Sequence, residues 1–165
     1  MEKGCRFYEG LVRVPLIVRW PGHTQAGKIS NALVELIDLN ATLLEAAEIE
    51  LPEHHQGASF LPILEGETDG HRESVRCEYF DSLDSFFTDG TGAFGMMYRT
   101  ERHKLCVDHG FGTGQLFDLK SEPNEHRNLW DDPEFSDLKT SLLLAAFDDH
   151  VLKSTDVGAR RIAPM

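Results

Sequence analysis

The fold is decided by one stretch near the start of the chain, Lys3-Gly-Cys-Arg-Phe-Tyr-Glu-Gly-Leu-Val-Arg-Val-Pro-Leu-Ile-Val-Arg-Trp-Pro-Gly22. Residues 14–18 form a short apolar run with Pro15 near its start and a Pro-Gly turn shortly after its end. Strands buried on both faces have continuous apolar runs, and proline is tolerated where a strand begins. We therefore predict an interior strand of an α/β sheet. Such a strand needs neighbours on both edges, so we expect this chain to be a portion of a longer protein.

The rest of the chain predicts two regions that separate near residues 66–70. Apolar residues at helical spacing (Leu36, Leu39, Leu43 and Ala47) predict a helix over about 35–47. Alternating residues predict four short strands at about 74–80, 94–99, 104–107 and 115–119. Asp132 followed by Pro133 predicts the start of a final helix that ends near 153.

These elements define an α/β (α+β) fold. We predict a small four-stranded antiparallel sheet, packed against the C-terminal helix. The predicted domains are 1–66, the end of an α/β domain, and 67–154, the small sheet with its helix. Residues 155–165 lose all periodicity and are predicted to form a frayed tail.

The composition and net charge restrict the classes of partner that the chain can bind. The chain has 165 residues and a formal charge of −12, which argues against nucleic acid or an anionic membrane surface as a partner. No apolar run approaches the length of a membrane span and no signal peptide is visible, so the compartment stays unassigned. Cys5, Cys77 and Cys106 lack metal-site spacing, which favours buried or free thiols over a disulfide or zinc site.

Several motifs follow one another over roughly residues 3–150, namely Tyr8-Glu9, Arg13-Val14-Pro15, Trp20-Pro21-Gly22, Leu33 to Leu44, Gly57 to Leu64, Met97 to Thr100, Arg102 to Leu105, Gln115 to Leu119, Glu122 to Glu125 and Asn128-Leu129. Their ordered succession resembles the type I, formylglycine-dependent sulfatases of the alkaline phosphatase-like superfamily. The resemblance implies that residues 1–66 end the catalytic α/β domain of such an enzyme.

The implied function is that of the C-terminal part of a sulfuric ester hydrolase, which completes the fold and borders the substrate cleft without being catalytic alone. Two alternatives stay open. One is a phosphonate or phosphate ester hydrolase of the same superfamily. The other is a stand-alone, non-catalytic module for binding or oligomerisation.

Sulfate ester hydrolysis requires a strong nucleophile and a divalent cation that neutralises the sulfate oxygens. The family makes its nucleophile from a Cys or Ser in Cys/Ser-x-Pro-x-Arg, and no Cys or Ser here has that context. We therefore expect no metal site and no cofactor in this chain, whereas the resemblance implies calcium and formylglycine in the full-length enzyme.

Three residues are candidates for contact with a sulfate ester substrate. The resemblance implies a sulfate-binding and leaving-group lysine just before Tyr8-Glu9, and Lys3 is the candidate, one residue further away than usual. Arg6 is the alternative sulfate contact. His103 is a candidate for the substrate rim, because the small sheet often borders the cleft in this family.

Other polar residues have simpler interpretations. We interpret His54 and His55 as part of a surface turn rather than a metal site. Glu9 and Arg13, four residues apart, favour a structural ion pair. The exposed strand and helix surfaces of an isolated chain predict self-association through residues 14–18.

Overall fold

The computed structural model describes residues 5–82 and 92–154. They group into two compact units, one of residues up to Arg19 with Arg72–Leu143, the other of Trp20–His71 with residues from Leu144 onwards. The helices are α1 (Glu9–Val12), α2 (Leu36–Ala46), α3 (Leu61–Glu65) and α4 (Ser136–Ser154), and the strands are β1 (Ser74–Ser82), β2 (Ala93–Thr100), β3 (His103–Asp108) and β4 (Thr113–Asp118).

The predicted sheet is confirmed. Its four strands lie in the order β1-β2-β3-β4, and every neighbouring pair is antiparallel. The β2–β3 turn is closed by Thr100, whose hydroxyl accepts from the backbone N–H of His103 at 3.0 Å. In the β3–β4 turn Gly110 and Gly112 have φ of 87° and 64°, a conformation that glycine adopts without steric cost.

One face of the sheet is covered by the start of the chain. Cys77, Met97 and Cys106 lie side by side on β1, β2 and β3, and the buried ring of Phe7 packs with Met97 and Cys106. Burying a ring of this size contributes about 2–3 kcal/mol. Gly95 makes the close approach possible, because a Cβ at this position would lie only 3.1 Å from the Phe7 ring.

The predicted interior strand at 14–18 is wrong for this structure. These residues belong to no strand and are exposed, Ile17 by 91% of its surface. The apolar run signals a need for burial, but the part of the chain that the structure describes places no neighbouring strand beside it.

The predicted helix at 35–47 is confirmed as α2, but its predicted buried stripe is wrong. Leu36 and Leu43 are exposed, whereas Asp38, Ala41 and Thr42 are buried. Asp38 accounts for this orientation, because its carboxylate accepts from the N–H of Glu35 at 2.9 Å and of Ala58 at 2.8 Å. His71 Nε2 lies 3.1 Å from the same carboxylate.

The final helix is confirmed with the predicted cap. The Asp132 side chain accepts from the N–H of Glu134 at 3.1 Å, and a 3-10 turn, Pro133–Phe135, leads into α4. In this helix Phe147 and Leu152 are exposed, while Leu142 and Ala146 are buried. Packing of α4 across the sheet stays a prediction.

None of the helices within 5–82 and 92–154 is both long and apolar enough to cross a membrane. The domain boundary after residue 66 stays a prediction. The tail predicted at 155–165 lies outside the described residues.

Candidate functional site

Lys104 occupies the centre of a buried ionic cluster on the face that Phe7 covers. Its side chain has no solvent exposure. The ammonium donates to Glu125 Oε1 at 2.6 Å and to the Phe7 carbonyl at 2.8 Å, and it lies 2.7 Å from Glu9 Oε1. Three oxygens thus meet the three N–H groups of the ammonium, which is the condition for burying a charge without a large free-energy penalty.

Glu9 links this cluster to the backbone and to a second cation. Arg99 Nε donates to Glu9 Oε1 at 3.1 Å, and the backbone N–H of Glu9 donates to Glu125 Oε2 at 2.7 Å. Burial by itself raises the pKa of Glu9, but the hydrogen bonds and charges of Lys104 and Arg99 outweigh it and hold that pKa below its ordinary value. The predicted structural role of Glu9 is correct, but its partners are Arg99 and Lys104 rather than Arg13.

Glu125 lies in the connection that follows β4, and its backbone there has an unusual conformation. Its φ is 60°, in the left-handed region that non-glycine residues rarely adopt. The carboxylate is 4% exposed and bonded through both oxygens. These contacts stabilise the unusual backbone conformation.

The cluster fixes the residues around Phe7 and thereby positions Arg6. Arg6 contributes to a shallow recess on the surface of the sheet unit, and its Nη1 donates to the Cys5 carbonyl at 2.9 Å. The recess is lined by Cys5, Arg6, Ala93, Phe94, Gly95, Asp108 and Phe111.

His103 lies away from this recess. Asp108 and His103 are the two ends of β3, about 16 Å apart at the usual rise per residue, so the structure does not bring Arg6 and His103 together. Burial lowers the pKa of His103, opposed in part by Asp118. Lys3 lies outside the described residues.

Asp118 and Arg102 form the main ion pair at the His103 end. Arg102 Nη2 donates to Asp118 Oδ2 at 2.8 Å, and the backbone N–H of Lys120 donates to Oδ1 at 3.1 Å. The hydrogen bond from Arg102 holds the pKa of Asp118 well below its usual range.

The thiols and imidazoles do not assemble into a metal or nucleophile site in the part of the chain that the structure describes. No group of three or more His, Cys, Asp or Glu side chains there could hold a metal. Burial raises the pKa of Cys106 to about 12, which keeps it a thiol. His55 lies in the turn predicted from sequence, where Nδ1 accepts from the Gly57 N–H at 3.0 Å and Nε2 lies 2.9 Å from Asn40 Oδ1.

Sequence reasoning missed Lys104 and Glu125. A weak signal existed, because Lys104 shares a strand face with Cys106 and therefore with the predicted core. The partner Glu125 is distant in sequence, and nothing in its local pattern indicates burial.

Comparison with known proteins identifies close similarities over most of the chain. A family model described as N-sulphoglucosamine sulphohydrolase, C-terminal, matches residues 4–148. A delta 4,5-hexuronate-2-O-sulfatase of Bacteroides thetaiotaomicron is 31% identical over 94% of this chain and 32% of its own length.

Two solved structures are similar in fold. A 2-O GAG sulfatase has a TM-score of 0.62 and 28% identity, covering 72% of this chain and 25% of its own. The phosphonate monoester hydrolase of Silicibacter pomeroyi has a TM-score of 0.72 and 26% identity, covering 82% and 28%. The chain spans between 23% and 37% of the length of curated relatives that it matches.

We predict that Lys104→Met destabilises the sheet unit by about 3–5 kcal/mol, because the variant leaves the buried carboxylate of Glu125 without its cation. Urea unfolding followed by circular dichroism measures the change. Lys120→Met, at an exposed lysine, is the matched control and should change the free energy of unfolding by less than about 0.5 kcal/mol. Equal effects of the two substitutions would contradict a structural role for the cluster.

We also predict an acid-sensitive contribution from Asp118. A carboxylate whose pKa is lower in the folded than in the unfolded chain stabilises the fold above its unfolded pKa, about 3.9. That stability is lost as the pH falls below about 4 towards the folded pKa. Thermal unfolding between pH 2 and 7 should show a weaker loss at low pH for Asp118→Asn than for the unchanged chain. The exposed Asp131→Asn serves as control, and an unchanged pH profile in Asp118→Asn would refute the assignment.

Proposed function

The chain belongs to the sulfatase family of the alkaline phosphatase-like superfamily, and on this premise we propose that it forms the C-terminal part of a sulfuric ester hydrolase. In this role it completes the enzyme's fold and borders the substrate cleft. It does not break the ester bond by itself. The observation that carries the proposal is the buried cluster of Lys104, Glu9 and Glu125, which holds the family's Tyr-Glu block firmly on the sheet.

We assign the substrate contacts to the residues around this block. Arg6 borders the recess and contacts a sulfate oxygen, and Lys3, a few residues earlier, is the leaving-group lysine. His103, at the other end of β3, contacts a different part of the substrate as a neutral hydrogen-bonding group.

The nucleophile and the metal belong, in this proposal, to the remainder of the full-length enzyme. Family membership implies formylglycine and calcium. The residues described here do not fit a metal, since no three potential ligands converge. Cys106 does not fit a nucleophile because it is buried with a raised pKa.

A phosphonate or phosphate ester hydrolase is the second candidate. It is supported by the similarity in fold to the phosphonate monoester hydrolase of Silicibacter pomeroyi, which is 26% identical with a TM-score of 0.72. Both candidates give the chain the same role and differ in the ester that the complete enzyme cleaves.

We predict that the purified full chain hydrolyses neither an aryl sulfate nor an aryl phosphonate with calcium present. A graft tests whether the chain can serve as the C-terminal part of an active enzyme. The chain replaces the matching segment of the related Bacteroides thetaiotaomicron sulfatase, and the folded graft should retain sulfatase activity. Lys104→Met in the graft should lower that activity, whereas Lys120→Met should not. Turnover by the chain alone that disappears on mutating one of its residues would contradict the proposal, as would a folded but inactive graft.

Self-association is the third proposal, and it corresponds to the module alternative. It is supported by the exposure of Val14, Leu16 and Ile17, three apolar residues in a segment that belongs to neither a helix nor a strand. Exposed apolar segments of this kind favour strand pairing.

We predict that the isolated chain forms dimers or larger species through residues 14–18. Light scattering over a concentration series should show a rising mass for the unchanged chain and a smaller rise for Ile17→Ser. Leu144→Ser, at an exposed leucine of α4, is the matched control. A chain that stays monomeric at high concentration would remove this proposal without affecting the hydrolase assignment.

A further inference from the structure

The first described residues form an arm, residues 5–12, that docks on one face of the sheet. The Phe7 ring lies 4.9 Å from the Tyr79 ring, and Gln115 Nε2 donates to the Tyr8 hydroxyl at 3.0 Å. The hydrogen bonds that join the arm to the sheet unit connect residues that are 90 to 116 positions apart. The arm therefore binds a surface to which it is connected only through a long stretch of chain.

The segment that follows the arm has the features of a hinge. Its two ends are fixed, because the Arg13 N–H donates to the Glu9 carbonyl and the Trp20 carbonyl accepts from the Thr24 N–H, both at 3.0 Å. Between these ends, residues 14–19 belong to no helix or strand, and they make no hydrogen bond within the part of the chain that the structure describes. The hinge can therefore change direction without the loss of a hydrogen bond.

The hinge also leaves apolar surface in water when the arm docks on its own sheet. Ile17 is 91% exposed and Val14 is 53% exposed. When the arm of one copy docks on the sheet of a second copy, every contact of the arm is kept, because the two sheets present the same surface. In a two-fold symmetric exchange the two hinges cross at the symmetry axis and can bury each other's apolar side chains. Burial of this surface favours the exchanged dimer over two separate chains.

We propose that this chain forms a dimer in which the two copies exchange their arms. Phe7 and Glu9 of one copy then contact Lys104 of the other, so that each ionic cluster contains residues of both copies. The inference rests on the self-association proposed above and adds the surface that carries it. The arm and the sheet face that it covers supply the binding contacts, while residues 14–18 connect the two halves of the dimer.

The first test detects the exchange directly by NMR and needs no variant. Full chain labelled with carbon-13 and nitrogen-15 is mixed with unlabelled full chain, and the mixture is unfolded in urea and refolded. An isotope-filtered NOE experiment on the dimer then records only contacts between copies. We expect NOEs from the Phe7 ring of one copy to Gly95 of the other, because a Cβ at Gly95 would lie 3.1 Å from that ring. A dimer in which the Phe7 ring shows no NOE between copies would overturn the proposal.

The second test is complementation between two variants, one changed in the arm and one in the sheet. Neither Phe7→Ala nor Lys104→Met can form an intact cluster alone. In a mixture, the arm of the Lys104→Met variant docks on the sheet of the Phe7→Ala variant, which restores one cluster of the two. Since Phe7 burial contributes about 2–3 kcal/mol, the refolded mixture should contain at least about ten-fold more dimer than either variant alone at the same concentration.

The matched control mixes two variants that are both changed in the arm, Phe7→Ala and Glu9→Gln. No intact arm is present in this mixture, so its dimer content should equal the average of the two variants measured separately. Analytical ultracentrifugation measures the dimer in each sample. Equal behaviour of the two mixtures would contradict the exchange of arms.

The outcomes separate the exchange from the proposals on which it rests. Dimers that form through residues 14–18 alone would show no Phe7 contacts between copies and no complementation, which overturns the exchange and keeps the self-association. A chain that stays monomeric at high concentration would overturn both. The hydrolase role is tested separately by the graft, and neither result affects it.

Discussion

The buried ammonium of Lys104 requires three oxygen acceptors in place of water. Those acceptors come from two other parts of the chain. Phe7 and Glu9 come from the start of the chain, and Glu125 comes from the connection after β4. The cost of leaving any of these charges unpaired exceeds what a surface ion pair contributes. The cluster therefore specifies one position for residues 7–9 on the sheet.

The placement of the recess follows from this fixed position of residues 7–9. The ring of Phe7 lies against Gly95, so the chain before it must pass over the ends of β2 and β3, where Phe94 and Asp108 lie. Arg6 thus reaches the recess because its neighbour Phe7 is buried. The packing of Phe7 contributes buried apolar surface, and the ionic cluster determines where residues 7–9 lie along the sheet.

The sequence predicted the elements far better than their partners. Alternation of Val75, Cys77 and Tyr79 identified β1, and Asp132-Pro133 identified the start of the last helix. The leucines of α2 suggested the wrong face, because Asp38 is buried by contacts to Ala58 and His71 that are distant in sequence. Residues 14–18 have the pattern of an interior strand, but a pattern states only a need for burial. Lys104 was missed because lysine is normally a surface residue, and its burial depends on Glu125, 21 residues away.

The distance along the chain between Lys104 and its acceptors also determines when the molecule can fold. Phe7 is 97 residues from Lys104, and Glu9 is 116 residues from Glu125. Contacts of such separation form late, since closing a long loop costs entropy before any contact repays it. During synthesis, the cluster of Phe7, Glu9 and Lys104 cannot form completely until residue 125 has left the ribosome. The apolar residues 14–18 are exposed during that interval and stay exposed in the described structure, and exposed apolar segments of this kind are the surfaces that chaperones bind.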